Sequence, residues 1–349
     1  MKEMQKKNQI NICGRIIGDN QTPLVIPEIG INHGGNFEKA KKMIKAASKS
    51  GAECVKFQCH IFDDEMIKNN IIPKNANKSI WDIMKKCSLS KSEELKLKKY
   101  TEKLDMIYLS TPFSRASADR LEDMDICAYK IGSGECNNYP LIQHIASFGK
   151  PIILSTGMNN LQSISKSVKI LEKYNIEYAL MHTTSIYPTP YNLVRLGALR
   201  DLQKKFPHTV IGLSDHSFGN YTSFAAIPLG AKILEKHFTL SKQWKGPDIP
   251  LSINPHELRD LIQGSAHISS SLGGHKNILA EEQPTINFAY ASVVSINDIK
   301  QGERLSKENI WVKRPGTGKI LAIDYQKLIG KTSKVSIPKN HQLSWDDIC

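Results

Sequence analysis

Two histidines that follow apolar runs are the residues of this 349-residue chain best placed for chemistry. His216 ends the run TVIGLSDH and His237 ends KILEKHF, and each run is typical of a buried strand. Because the runs are consecutive, we expect both imidazoles to converge on one divalent ion. Imidazole with oxygen ligands suits Mn²⁺, Fe²⁺, Co²⁺ or Zn²⁺. The competing interpretation is that each ring is a hydrogen-bonded core residue.

Charged and hydroxyl side chains at other strand ends suit an anionic ligand. Lys56 and Gln58 are two apart and share one face of a strand, and Lys130 belongs to a later strand. Two ammonium groups with directional hydroxyl donors fit a ligand that carries phosphate and carboxylate groups. The hydroxyls that we expect beside the lysines are those of Thr111, Ser133, Ser155 and Ser214.

Other roles for the same residues stay open. Either lysine could be the buried partner of Glu28 or Glu135, and a lysine on a barrel strand could also form a Schiff base. Serine and threonine at strand ends often cap the helix that follows.

The elements that must position these residues alternate regularly. Between residues 24 and 271, helical patterns near 37–50, 92–104, 115–124, 140–148, 160–174, 195–205, 219–228 and 255–271 separate eight apolar runs. The runs are LVIPEIG, ECVKFQ, MIYLST, AYKIGS, PIILST, YALMHTT, TVIGLSD and KILEKHF. Eight βα units in about 250 residues predict a (β/α)8 (TIM) barrel with its site at the carboxyl ends of the strands. A doubly wound sheet usually has a glycine-rich first turn, which this chain lacks.

The flanking segments predict three further parts. Residues 1–23, which include INICGRII, predict a hairpin that caps the bottom of the barrel, residues 24–272. Gly, Pro and polar residues in 273–288 predict a linker. Residues 289–349 are rich in strand and turn patterns and predict a small C-terminal domain, which is marginal on its own core and would gain stability from docking.

Composition excludes several classes of protein. Apolar residues make up 40% and charged residues 23%, and no run is long enough to span a membrane. The start MKEMQKKNQI lacks the apolar core of a signal peptide, and seven cysteines without a CxxC pair predict a reduced, cytoplasmic enzyme. The net charge of +13 comes from lysines scattered over predicted helix surfaces, which favours a solvated surface over nucleic-acid binding. It would also attract a small anion.

Ordered motifs extend along most of the chain. They include PEIGINHGG, KFQCHIFDDEM, STPFSRA, YKIGSGECNNYPLI, ILSTGMN, HTTSIYPTPYNLVRLGAL, GLSDHS, LEKHFT, GPDIPLS and SVVSINDIKQGERLSKENIWVKRPGTG. These motifs resemble those of the bacterial sialic acid (N-acetylneuraminate) synthases. The resemblance runs from about residue 20 to the C-terminus, and the last segment is similar to the antifreeze-protein-like (SAF) domain of these enzymes.

The resemblance implies an activity and a role for each candidate residue. The family condenses phosphoenolpyruvate with an unphosphorylated N-acylmannosamine-type sugar and water, and releases phosphate by C–O cleavage. Phosphoenolpyruvate-binding positions match Lys56, Thr111, Lys130, Ser133, Ser155, Ser185 and Ser214, and the metal ligands, usually for Mn²⁺, match His216 and His237. Sugar-binding positions match Gln58, Asn75, Tyr187, Asp248, Phe288 and Arg314.

Our mechanistic hypothesis is that His216 acts through the metal, and that Glu28 and Glu135 are the two candidates for moving protons. Arg314 and Phe288 would come from the partner subunit of a domain-swapped homodimer. The metal would polarise the sugar aldehyde while the lysines hold phosphoenolpyruvate.

Departures from the family's pattern leave the exact sugar open. Phe57, Cys59 and Ser185 stand where the closest bacterial sialic acid synthases tend to have His, Thr and Asn. The motifs favour N-acetylmannosamine, which gives N-acetylneuraminate. The alternative is a 2,4-diacetamido-trideoxy hexose, which gives legionaminic or pseudaminic acid. A non-catalytic carbohydrate- or surface-binding protein built around the C-terminal module is a rival class, but it would not need both lysines and both histidines.

Overall fold

The computed structural model describes residues 8–349, so part of the predicted N-terminal hairpin segment, residues 1–7, lies outside the described residues. The chain forms two compact units, one that ends at Gly273 and one formed by Gly274–Cys349.

The first unit is built on eight parallel strands, which confirms the predicted barrel. Their order is β5-β4-β3-β10-β9-β8-β7-β6, and β5 and β6 lie side by side, so that the barrel is nearly closed. The strands are β3 (Leu24–Gly30), β4 (Cys54–Cys59), β5 (Ile107–Pro112), β6 (Tyr129–Ile131), β7 (Ile152–Ser155), β8 (Tyr178–Thr183), β9 (Val210–Asp215) and β10 (Ile233–His237). Six of them fall within one of the eight predicted apolar runs, and β4 and β5 each extend one residue beyond theirs, to Cys59 and Pro112.

Helices cover the outside of the barrel. They are α1 (Phe37–Lys49), α2 (Phe62–Glu65), α3 (Ile80–Cys87), α4 (Lys91–Glu102), α5 (Arg115–Asp123), α6 (Tyr139–Ala146), α7 (Leu161–Lys173), α8 (Ala198–Lys205), α9 (Tyr221–Ala226) and α10 (Pro255–Ser271). The sequence patterns did not predict α2 and α3, which lie in a long connection between β4 and α4.

Helix α1 shows why these segments are helical. Its buried residues Ala40, Met43, Ile44 and Ala47 recur at the spacing of one helical face. The side chain of Asn36 accepts a hydrogen bond from the Lys39 amide at 2.8 Å and caps the first turn. Burial of this face against the barrel then stabilises a helix that would be marginal alone.

The interior of the barrel is apolar at one end and polar at the other. Successive strand residues point to opposite faces, so that the inward residues near the strand starts form one apolar cluster: Leu24, Ile26, Cys54, Leu109, Ala128, Ile153, Ala179, Met181, Val210 and Ile233. The inward residues two or four positions later are charged or polar. The fold therefore gathers the polar side chains of many strands at the carboxyl end.

A two-stranded hairpin packs against the apolar end. It consists of β1 (Gln9–Ile12) and β2 (Arg15–Gly18), and its Ile10, Ile12 and Ile17 belong to the same buried cluster. At its turn Cys13 is disulfide-bonded to Cys127, which directly precedes the inward Ala128. The prediction of a fully reduced chain is therefore wrong at this pair, because the fold brings together two cysteines 114 residues apart.

The second unit has its own buried cluster around Val293, Leu305, Ile310 and Ile337. Two strands, β11 (Ser292–Ser295) and β12 (Ile310–Lys313), pair antiparallel, and the helices are α11 (Gln283–Ala289) and α12 (Tyr325–Leu328). Helix α11 falls mainly in the segment predicted as a linker. Its first turn contains a proline, which is tolerated there because the first amides of a helix have no hydrogen-bond partner within the helix.

Candidate active site

Two lysines and two glutamates form a buried cluster inside the polar end of the barrel. Lys56 Nζ lies 2.7 Å from Glu28 Oε2 and 3.6 Å from Glu235 Oε1. Lys130 Nζ lies 3.7 Å from the same Glu235 oxygen and donates to Ser155 Oγ at 2.7 Å. All four charged side chains are almost fully buried. The predicted pairing of Lys56 with Glu28 is present, and Glu235 bridges the two lysines.

Strand register explains the cluster. Glu28 of β3 is aligned with Lys56 of β4, and on its other side with His237 of β10. Glu235 of β10 is aligned with Ser214 of β9, whose hydroxyl donates to it at 3.1 Å. The inward residues of four adjacent strands thus meet in one layer.

The charges of the cluster shift one another's ionisation. Burial lowers the pKa of Lys130 to about 8, although Glu235 opposes this. For Lys56, burial is outweighed by Glu235 and Glu28, and its pKa is raised. For Glu235, burial is outweighed by Lys130 and Lys56, and its pKa is lowered. Burial raises the pKa of Glu28. The site therefore carries tightly held charges of both signs.

The predicted hydroxyls surround the same space, a cavity of about 290 Å³. Lys56 donates to Thr111 Oγ1 at 3.4 Å, and the Ser133 hydroxyl accepts from the Gly157 amide at 3.0 Å. Ser185 Oγ is buried and has no hydrogen-bond partner. Hydroxyls and ammonium groups that converge on one cavity are suited to bind an anion. The predicted residues that line it are Glu28, Lys56, Gln58, Thr111, Lys130, Ser133, Glu135, Ser155, Ser185, Tyr187, Ser214, His216 and His237.

The two histidines lie together at the edge of this cavity, with ring centroids 5.5 Å apart. Tyr187 stacks on His216 at 4.1 Å and meets the edge of His237 at 5.9 Å. His216 Nδ1 lies 2.9 Å from the carbonyl oxygen of Thr184, which can accept its hydrogen and leave Nε2 with a free lone pair. His237 Nδ1 is buried without a hydrogen-bond partner.

The donor set suits a divalent metal. Burial lowers the pKa of His216 to about 4 and that of His237 well below its usual value, so that both rings are neutral, as metal binding requires. Asp248 Oδ2 lies 3.6 Å from His237 Nδ1. Within residues 8–349 no group of three or more His, Cys, Asp or Glu side chains is arranged to hold a metal ion without other ligands. Two imidazoles with substrate or water oxygens would complete the coordination.

Two carboxyl groups near the cavity have pKa values close to neutrality. Burial raises the pKa of Glu135 to about 7, and Glu135 Oε2 has no hydrogen-bond partner. Burial also raises the pKa of Asp248 to about 7. A carboxyl group with a pKa near 7 is suited to general acid–base work.

Four predicted residues do not line the cavity with the others: Asn75, Asp248, Phe288 and Arg314. Asn75 donates to the carbonyl oxygen of Pro247 at 3.2 Å, beside Asp248. Arg314 and Phe288 belong to the second unit, where the guanidinium carbon lies 6.0 Å from the ring centroid of Phe288.

Sequence reasoning missed part of the site. Glu235 was not among the predicted site residues, although strand alternation places it on the same face as His237. Met158 also lines the cavity, and Gly157 lies next to it in the chain, where its amide donates to Ser133 Oγ. A side chain on Gly157 would collide with Ser185 Oγ and Ser133 Oγ, which explains the glycine.

The fold and the site define a (β/α)8-barrel protein with a buried, charged cavity that is suited to an anion and an adjacent pair of histidines that are suited to a metal. The chain belongs to the NeuB family, whose model matches residues 43–277, and a SAF domain matches residues 290–348. These matches confirm the resemblance and the C-terminal domain inferred from the motifs.

Named relatives include synthases of several nonulosonic acids. The N,N'-diacetyllegionaminic acid synthase of Campylobacter jejuni is 38% identical over 88% of this chain and 95% of its own length. The human N-acetylneuraminate-9-phosphate synthase is 29% identical over 95% of this chain and 94% of its own length. The crystal structure of the N-acetylneuraminic acid synthetase of Leptospira borgpetersenii, in complex with citrate, is 31% identical, covers 80% of this chain and 95% of its own, and has a TM-score of 0.73.

These relationships place the chain among sugar-acid synthases. Across residues 8–349, no helix combines the length and the apolar character needed to cross a bilayer.

Proposed function

We propose that this enzyme condenses phosphoenolpyruvate with N-acetylmannosamine and water, and releases N-acetylneuraminate and phosphate. The observation that carries the proposal is the pair of buried lysines, Lys56 and Lys130, beside the paired rings of His216 and His237 in one cavity. This arrangement offers sites for an anionic donor and for a metal-activated carbonyl next to each other. The cytoplasm is part of the same proposal, because phosphoenolpyruvate is a metabolite of that compartment.

In this reaction C3 of phosphoenolpyruvate forms a bond to C1 of the open-chain sugar, water adds at C2, and the C–O bond to phosphate breaks. Lys56 and Lys130 bind the carboxylate and phosphate groups, and the hydroxyls of Thr111, Ser155 and Ser214 orient them. The contribution of these residues is neutralisation of charge and orientation of the two reactants.

Proton transfer is assigned to Glu135 and Glu28. Glu135 has a pKa of about 7, raised by burial, so that near neutral pH it exists in both protonation states. Glu28 holds Lys56 in place through its 2.7 Å ion pair and lies on the same cavity.

A divalent ion, which we propose to be Mn²⁺, would be held by His216 and His237 and would act as a Lewis acid on the C1 carbonyl of the sugar. The neutral state of both rings and the unpartnered Nδ1 of His237 support this assignment.

The proposal includes a domain-swapped homodimer in which Phe288 and Arg314 complete the sugar site of the partner subunit. Large apolar side chains are exposed in the loops that follow β4, β7, β8 and β9, at the end of the barrel that holds the cavity. They are Ile67, Ile71, Ile72, Met158, Ile186, Tyr191, Phe218 and Tyr221. Apolar residues grouped around a polar cavity are typical of a surface that another protein covers.

A second acceptor sugar has specific support. The 38% identity to the Campylobacter enzyme favours a 2,4-diacetamido-trideoxy hexose, with legionaminic acid as the product. Pseudaminic acid is the corresponding product of another Campylobacter relative, 31% identical over 93% of this chain.

The deciding experiment measures phosphate release with phosphoenolpyruvate, Mn²⁺ and each of three sugars. These are N-acetylmannosamine, its 6-phosphate and a 2,4-diacetamido-trideoxy hexose. We expect the highest kcat/KM with N-acetylmannosamine, and a higher value for either other sugar would reassign the acceptor. Borohydride added during turnover should trap no adduct, whereas an adduct on Lys130 would replace the proposal with a Schiff-base aldolase mechanism.

A further inference from the structure

A chain of hydrogen bonds leads from the cavity to the rim segment that follows β4. Gln58 Nε2 donates to Glu28 Oε1 at 2.9 Å, and Gln58 Oε1 lies 3.0 Å from His60 Nε2. His60 Nδ1 lies 2.7 Å from Glu65 Oε2, at the end of α2. The ring of His60 is buried and stacks on Phe113 with centroids 4.5 Å apart.

The donors and acceptors along this chain can be assigned from one end to the other. Glu28 Oε2 is paired with Lys56 at 2.7 Å, so Glu28 is a carboxylate that accepts hydrogen bonds. Gln58 must therefore turn its amide nitrogen toward Glu28, and its oxygen toward His60. His60 Nε2 must then carry a hydrogen, and a further hydrogen lies between His60 Nδ1 and Glu65.

This polarity fixes what Gln58 can offer to a ligand. The amide oxygen of Gln58 is taken by His60, whereas its NH₂ group has two hydrogens and gives one to Glu28. Gln58 lines the cavity, so its remaining N–H is the group that a ligand can reach. A flipped amide would set its oxygen against the Glu28 carboxylate and is therefore disfavoured.

We propose that His60 and Glu65 are positioning residues that lock the Gln58 amide in one orientation, so that it donates a hydrogen bond to an acceptor oxygen of the sugar. The identity of the ligand rests on the proposed function, but the orientation of the amide does not. The free N–H of Gln58 therefore favours a sugar that places a hydrogen-bond acceptor oxygen opposite it. A sugar group that can only donate a hydrogen bond would face the Gln58 N–H unpaired.

The first test is His60→Phe, which keeps an aromatic ring against Phe113 but removes the Nε2 hydrogen. With the amide free to turn over, we expect the KM for N-acetylmannosamine to rise about tenfold, equivalent to about 1.4 kcal/mol. The KM for phosphoenolpyruvate should change less than about twofold, because the lysines and hydroxyls that bind it keep their partners.

Two variants of α2 provide the matched controls. In Glu65→Gln the new amide can donate to His60 Nδ1 while Nε2 keeps its hydrogen, so we expect the sugar KM to stay within about threefold of the parent value. Asp64→Asn changes the neighbouring carboxylate, which accepts from the Ala116 amide at 2.9 Å instead of contacting His60. It should leave both KM values unchanged.

Specific results would overturn the inference. These are an unchanged sugar KM in His60→Phe, an equal rise in both KM values, or an equal effect of Asp64→Asn, which would indicate general loosening of the segment. A readout that needs no substrate is ¹⁵N NMR of the His60 ring in the full-length protein, assigned by the signals lost in His60→Phe. A His60 ring without hydrogen on Nε2 would refute the proposed orientation of the Gln58 amide. A hydrogen on Nε2 would support that orientation, and if the same protein turned over none of the sugars, only the proposed function would be rejected.

Discussion

Removal of the Lys236 charge should destabilise the barrel strongly. Asp215 of β9 lies between Ser214 and His216, and Lys236 of β10 lies between Glu235 and His237. Because side chains alternate along a strand, Asp215 and Lys236 point away from the cavity that their neighbours line. Lys236 Nζ lies 3.1 Å from Asp215 Oδ2 and donates to the carbonyl oxygen of Ser217 at 2.6 Å, and both charged groups are essentially inaccessible to water. Lys236→Met keeps an unbranched side chain, shorter by the terminal nitrogen, and removes the charge.

The size of the effect follows from what Asp215 would lose. Removing one member of a buried ion pair typically costs about 3–5 kcal/mol, because the other charge stays buried without its partner. Asp215 would still accept hydrogen bonds from the Ser217 amide, Thr222 and Ser223. We therefore expect a loss near the lower limit, about 3 kcal/mol in the free energy of unfolding. The double variant Asp215→Asn/Lys236→Met buries no charge and should lose less than Lys236→Met alone.

Urea unfolding followed by far-ultraviolet circular dichroism measures these differences. The control is Lys91→Met, which breaks an exposed pair with Asp123, 2.8 Å long, and should cost less than about 0.5 kcal/mol. Amide hydrogen exchange at residues 214–217 should also accelerate in Lys236→Met. A loss below about 1 kcal/mol in Lys236→Met, or strictly additive costs in the double variant, would refute the argument.

Four further results are expected. Because burial lowers the pKa of Lys130 to about 8, Lys130 loses its charge as the pH rises through that value. The Kd for phosphoenolpyruvate, measured by calorimetry, should therefore rise roughly tenfold per pH unit above about 8. A Kd that stays constant from pH about 7 to about 9.5 would contradict this. Exhaustive chelation should abolish phosphate release and Mn²⁺ should restore it, since His216 and His237 are neutral ligands, and full activity after chelation would reject the metal site. Arg314→Ala should raise the sugar KM roughly tenfold or more through loss of a charged hydrogen-bond donor, and steady-state kinetics that leave this KM unchanged would reject a contact across subunits. Tyr221→Asp, at the exposed start of α9, should shift light-scattering mass toward the monomer, and an unchanged dimer would mean that Tyr221 is not in the interface.

The barrel was predictable because its signal is repeated along the chain. Eight short apolar runs, each followed by a helical pattern, leave few alternatives, and the inward face of each strand follows from alternation once its polar end is known. Helix α3 was missed because little in the sequence marks it besides its cap, Ser79, whose hydroxyl accepts from the Asp82 amide at 3.1 Å. Helix α11 was missed because its early proline was taken for a linker signal.

The contacts of the site were less predictable than its residues. That Lys56 and Lys130 share Glu235 depends on the register of β10 between β3 and β9, which no local pattern encodes. The contact of His60 with Glu65 depends on the turn after β4, and the disulfide joins residues far apart in sequence. Such pairings are set by tertiary structure, so a single sequence shows the side chains but not their partners.

The buried cluster of Lys56, Lys130, Glu28 and Glu235 contains two positive and two negative groups, whose formal charges cancel. A trianionic metabolite that enters such a neutral chamber brings charge that these four groups cannot balance. A cation at the histidines or a proton on a glutamate would offset part of that charge, so we expect binding at either subsite to strengthen binding at the other.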